Sequence, residues 1–244
     1  MKPIPSLLAS AALSVAALGA PAVQAAGVEV LNEGFADVAG LGGWTQVNLS
    51  TPPGGGWFQG NTGVFTSQAG AADSYAAANF LGAAGGSGSV DNWLITPTLD
   101  LSGTTVLSFF TRHAPDAGFN DLLEVRFAAG SGTGMNGFDT LLATIGGASV
   151  YPDSWQQFTA NVNASGSGRF AFRYVGAADT LNYVGLDTVS VVTAVPEPAS
   201  WATLALGVSL FGLLRLYARR SPRRGSGSHA RSRLHADLRD QSGQ

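Results

Sequence analysis

The chain has 244 residues, 33 of them glycine and none cysteine, with 45% hydrophobic and only 12% charged residues and a formal net charge of −3. The length allows one or two domains. The missing cysteines exclude a disulfide-held scaffold, and with few histidines they leave zinc without its usual ligands. The small net charge conceals a split: from Ala26 to Pro198, fourteen carboxylates face four arginines (Arg112, Arg126, Arg169, Arg173), about −10 for that stretch. Such a segment repels nucleic acid, whose phosphates need Lys and Arg, but is compatible with divalent cations and neutral sugars.

The N-terminus reads MKPIPSLLASAALSVAALGAPAVQA. Lys2, the apolar run from Ile4 to Leu18 and the small residues around Ala25 form the three parts of a secretory signal peptide, expected to span residues 1–25. An uncleaved anchor is the competing reading. The run is short for a span, and Gly19 to Pro21 breaks it.

Residues 26–194 show no sustained helical period. Short β-rich runs alternate instead with Gly, Ser, Asn, Asp and Pro. In chain order they are Val28–Phe35, Gly43–Leu49, Gly63–Ser67, Ser74–Phe80, Asn92–Thr96, Thr105–His113, Asp121–Ala129, Asp139–Ile145, Ser154–Val162, Gly168–Gly176 and Tyr183–Val192. In Thr105–His113, Leu107, Phe109 and Thr111 share one face and Val106, Ser108 and Phe110 the other. Many short strands with glycine-rich turns predict an all-β fold, a jelly-roll type β-sandwich. About 170 residues suffice for a two-sheet core.

Chemistry in this segment is sparse. His113 is its one histidine, and Asp116, three residues on, could partner it. No Gly-x-Ser-x-Gly elbow accompanies them, so a surface histidine is the simpler reading. Asp121 and Glu124 lie three apart on a strand and so point to opposite faces, which weakens a concerted carboxylate pair. The segment is therefore read as non-catalytic. Trp93 and Trp155 lie in strand patterns and are expected in the core; Trp57, in a Pro-Pro-Gly-Gly-Gly loop, is the candidate for an exposed sugar contact.

After Ala194 the chain reads VPEPASWATLALGVSLFGLLRLYARRSPRR. Residues 199–217 make a helix of about 28 Å, enough to span a hydrocarbon core of about 30 Å if Arg215 snorkels. Arg219, Arg220, Arg223 and Arg224 would stay cytoplasmic and leave the acidic domain outside, the topology that the signal peptide also demands. A plain single-span anchor accounts for that much. It does not account for Pro196-Glu197-Pro198, whose two prolines hold the backbone extended. Residues 225–244 read as a disordered basic tail.

Two resemblances follow from these residues. Pro-Glu-Pro, an apolar span and an arginine cluster, together Val195 to Arg224, resemble a PEP-CTERM sorting signal. That resemblance implies recognition and cutting by an exosortase in a Gram-negative host that makes exopolysaccharide. The 20-residue tail departs from it, since such signals usually end soon after the arginines. Asp91 to Gly103, followed by the strands up to Tyr183–Val192, resembles the choice-of-anchor J domains, relatives of cleaved-adhesin and MAM-type jelly rolls. The domain resemblance implies an exported surface or matrix protein with a structural or adhesive role, or alternatively a carbohydrate-binding module for extracellular polysaccharide. It also implies a calcium ion between an N-terminal glutamate and an aspartate on the last strand, here Glu33 and Asp187; Asp37, in the loop that follows Glu33, is placed to supply another oxygen. Relatives often carry two adjacent aspartates where this chain has Asp187-Thr188, so the implied ligand set is one short.

Overall fold

In the computed structural model, which describes residues 27–195, 207–213 and 215–216, the strand-forming runs become one curled antiparallel sheet of ten strands. The strands are β1 (Val28–Glu33), β2 (Thr45–Asn48), β3 (Phe58–Gln59), β4 (Ala76–Asn79), β5 (Ser89–Ile95), β6 (Leu99–His113), β7 (Leu122–Ala129), β8 (Thr140–Gly146), β9 (Gln156–Ala177) and β10 (Tyr183–Thr193).

β9 is what curls the sheet. Residues 156–168 pair with β6, whereas 168–174 pair with β7 and 171–177 with β5. One strand thus belongs first to a leaf containing β6, β10, β1, β4 and β3, then to a leaf containing β5, β2, β7 and β8. The sequence suggests two strands here, with Ala164-Ser165-Gly166-Ser167 between them as a turn. The backbone instead stays extended and changes partners. Gly168 sits at the changeover, where a β-carbon would lie 2.8 Å from both Leu101 and Phe127 side chains and would force them to shift.

The period-2 pattern decides what enters the core. On β6, Leu107, Phe109 and Thr111 are buried, as their alternation predicts. Phe109 packs edge-on against Phe172 of the second half of β9, with ring centroids 5.1 Å apart. Leu94, Leu123, Val125, Phe170, Leu186 and Val191 complete the same core. Burying each such side chain stabilises by about 1.5–3 kcal/mol. A second cluster joins Phe65, Tyr75 and Tyr183, with Trp155 against it. A third, Trp93, Ile95, Phe138 and Ala171, lies under the loop before β8.

The expected strand at Gly63–Ser67 does not form. Asn61 accepts from the Gly63 backbone through its side chain and from Val64 and Phe65 through its carbonyl, so the backbone turns. The Phe65 side chain is what carried the strand-like pattern, and it plugs the second cluster instead. β3, at Phe58–Gln59, is instead the short strand that pairs here, with Ala77 and Ala76 of β4.

The expected signal peptide, Pro196-Glu197-Pro198, Arg219, Arg220, Arg223, Arg224 and the tail lie outside the described residues. So does most of the expected 199–217 span. Within it, 207–213 and 215–216, including Arg215, are helical. Among the described residues no helix is long and apolar enough to cross a membrane.

Candidate binding site

β6 ends at His113, and the chain passes through a loop to β7. Asp121, just before β7, is fully buried and accepts at both oxygens: Oδ2 from His113 Nδ1 at 3.0 Å, Oδ1 from the Tyr174 hydroxyl and from the Asn182 backbone N–H at 2.9 Å. In a neutral imidazole facing a carboxylate, Nδ1–H donates and the lone pair stays on Nε2; in an imidazolium both nitrogens donate. His113 is 13% exposed, and its Nε2 has no hydrogen-bond partner among the described residues.

The surroundings hold this pair rigidly. Tyr174 lies on the core face of β9 together with Phe170 and Phe172, and burial, then the neighbouring Asp121 charge, pushes its phenol up so that it remains a donor. Thr111 donates to the Gly185 carbonyl at 2.6 Å and accepts from the Tyr151 hydroxyl at 2.6 Å. The Tyr151 ring lies 5.4 Å from the imidazole, and burial pushes that phenol up as well. Gly146, with φ +83°, brings the β8 turn so close that a β-carbon would lie 1.9 Å from the Asp121 carbonyl. The loop before β7 is tied down by Asn120 N–H to the Thr180 carbonyl at 2.7 Å and by the Asn182 amide to Asp116 at 2.7 Å.

Two pockets open on either side of His113, Tyr151 and Val150. One, of about 310 Å³, is lined also by Pro115, Asp116, Pro152 and Asp153; the other, of about 300 Å³, by Phe119, Asn120, Asp121 and Ser149. Val150 is 93% and Phe119 40% exposed. The expected His113–Asp116 pairing is not made: Asp116 accepts from Asn182, and Asp121 takes the histidine. The sequence carried one usable signal for this cluster. Alternation puts Tyr174 on the core face, where its hydroxyl needs a partner.

The carboxylates expected at a calcium site are placed apart in function. Asp187 is buried; Oδ2 accepts from the Gln68 and Ala69 backbones at 2.8 and 3.2 Å and Oδ1 from Thr188 N–H at 2.6 Å. Burial raises its pKa, and these amide bonds only partly oppose that. Glu33 accepts from the Phe35 N–H at 2.7 Å and lines a pocket of about 490 Å³ with Asn32, Ser74 and Thr188. Asp37 accepts from Ala39 and Gly40 in its own turn and does not line that pocket. Phe35 and Thr188, at φ 51° and 48°, are the non-glycine residues in left-handed conformation, and both flank these carboxylates. Among the described residues no three His, Cys, Asp or Glu side chains are grouped to hold a metal. Calcium needs six to eight oxygens. Of the three carboxylates only Glu33 lines the pocket, and all three already accept from backbone N–H groups, so by themselves they do not supply that number.

Arg173 pairs with Asp91 at 2.7 and 2.9 Å and Glu124 at 3.0 Å, and stacks over Trp93 at 5.0 Å. Burial acts to raise the Glu124 pKa, and the bonds from Arg126 and Arg173 outweigh it, leaving the carboxyl below its ordinary value. Trp57 is corrected from an exposed contact to a core residue. It is 4% exposed and its indole N–H donates to the Asn92 carbonyl at 3.3 Å. The glycines before it let the chain fold inward, so no ring face remains for a sugar. Trp93 is buried as expected, while Trp155 is only half-buried and donates to the Thr66 carbonyl.

No protein-family model matches the chain, and no curated protein does. Solved structures do. A cleaved adhesin domain of Lys-gingipain from Porphyromonas gingivalis is 24% identical, with a TM-score of 0.54 over 68% of this chain and 99% of that one. Another cleaved adhesin domain of the same protein is 23% identical, with a TM-score of 0.51 over 69% and 100%. The chain has the cleaved-adhesin fold. A xylan-binding domain from Paenibacillus barcinonensis, 14% identical over 70% of this chain and 99% of its own, reaches a TM-score of 0.45, too low to carry weight.

Proposed function

We propose that this chain is a non-catalytic, exported protein whose β-sandwich acts adhesively at the cell surface or in the exopolysaccharide matrix of a Gram-negative bacterium. The observation that carries this reading is the fold held in common with cleaved adhesin domains over nearly their whole length. The acidic, cysteine-free domain and the order of segments in the sequence support it. The chain is exported by its signal peptide, held by the span at 199–217, and handed to an exosortase that reads Pro196-Glu197-Pro198 and the cluster Arg215, Arg219, Arg220, Arg223 and Arg224. A second reading, a carbohydrate-binding module for extracellular polysaccharide, is favoured by the paired pockets at His113. The test is expression of the full chain in an exosortase-bearing host. Protease added outside intact cells should digest the domain, or the domain should be recovered from the matrix. A chain found only inside intact cells contradicts the reading.

A further inference from the structure

We infer that the two pockets around His113 form one saccharide site, selective for uncharged, hydroxyl-rich glycans; this rests on the carbohydrate-binding reading above. His113 Nδ1 is bonded to Asp121, so Nε2 is the ring nitrogen left to a ligand, an acceptor in the neutral ring and a donor in the protonated one. A sugar hydroxyl matches either. Asn120 and Ser149 both donate and accept, as hydroxyl groups do, and line the same opening. Phe119 and Val150 offer exposed apolar surface for the C–H face of a sugar ring. Polar and apolar lining alternate around the two halves, as the hydroxyls and C–H faces of a sugar do, and each half lies at the small end of the size range of ligand pockets.

The charge around the site selects among ligands. Asp116, Asp121 and Asp153 line it, and no Lys or Arg does. An anionic glycan would bring carboxylates or sulfates up to these carboxylates, and Arg112, next to His113, does not line the opening but donates to the Asp153 carbonyl and lies over the Phe65 ring. A metal ion lacks a ligand group, since no three ligating side chains are grouped among the described residues. The base of the site is preorganised by the Asp121–Tyr174 and Thr111–Tyr151 bonds, so little ordering accompanies binding.

The test uses the purified full-length chain on an array of immobilised oligosaccharides containing neutral hexasaccharides (gluco-, xylo- and manno-configured) and polyuronate hexamers. His113→Ala and Val150→Arg are run beside it. Val150 is almost fully exposed, so its variant should fold as the wild type does while blocking both openings. The expected result is binding to a neutral glycan, with half-saturation raised about tenfold or more in both variants, the loss of one or more hydrogen bonds or of access. Binding to a neutral glycan that Val150→Arg leaves unchanged overturns the site but keeps the carbohydrate-binding reading. Binding to polyuronate alone overturns the proposed ligand class. Binding to nothing on the array overturns both.

Discussion

Removing the Asp121 carboxylate tests whether the buried cluster is a built framework. Asp121→Ala leaves the Tyr174 hydroxyl, the Asn182 N–H and His113 Nδ1 without their acceptor. Hydrogen bonds to an ionised group are each worth about 1.5–3 kcal/mol, and they do not add fully when they share one acceptor. His113 reaches water through the groove and can recover part of its loss. Tyr174 cannot, because it is fully buried. The net cost is therefore about 3–5 kcal/mol. For a domain of this size 1 kcal/mol moves Tm by roughly 2–4 °C, so the variant should melt about 6–20 °C lower. Asp121→Asn should cost less, about 1–2 kcal/mol, because one oxygen still serves Tyr174 and Asn182. Its amide would then face Nδ1 and turn the imidazole to the other tautomer, with Nε2–H toward the groove. Thermal and urea unfolding of the full chain measure both variants. A loss below about 1 kcal/mol in Asp121→Ala would refute the reasoning, because it would mean that water or a rearranged loop replaces the carboxylate at no cost.

Four further outcomes are expected. Arg173→Met should destabilise by about 1–2 kcal/mol, since it leaves partly buried Asp91 with only the Trp93 indole N–H and Glu124 with only Arg126, and urea unfolding that matches the wild type would contradict this. Because the Glu124 pKa lies below its ordinary value of 4.5, the stability from its bonds is complete above that pH and is lost as pH falls through the depressed value; Arg173→Met should flatten that acid limb. Millimolar calcium and EDTA should leave the melting curve in place, and a calcium-dependent rise that Glu33→Ala abolishes would show that the pocket beside Glu33 completes a site with neutral oxygens. Replacing Pro196-Glu197-Pro198 with alanines should leave export intact and stop release from the membrane, so unchanged processing would reduce the motif to a stalk.

Alternation made most strands legible. β7, β8 and β10 are formed close to where Asp121–Ala129, Asp139–Ile145 and Tyr183–Val192 suggest, and β6 ends where Thr105–His113 does but begins six residues earlier, at Leu99. Composition failed where a breaker-rich segment stays extended, as at Gly166 and Gly168 in β9, because pairing on both sides outweighs the local preference of Gly and Ser. It failed again where an apolar residue on a turn fills the core, as with Phe65 and Trp57. The His113–Asp121 pair was half legible. Both residues stand out as polar groups at strand ends, but the partner was fixed by a loop closure that brings Asp121, not Asp116, under the ring. Asp187 was placed on the right strand, yet which groups fill its oxygens depends on the loop at Gln68 and Ala69, far away in sequence.

The most direct measurement is co-sedimentation of the purified full-length chain with exopolysaccharide and with intact cells of an exopolysaccharide-forming Gram-negative host. An adhesive surface or matrix protein is predicted to pellet with the polysaccharide or the cells in proportion to the amount added. A chain that stays in the supernatant with both would contradict the adhesive and the carbohydrate-binding readings together.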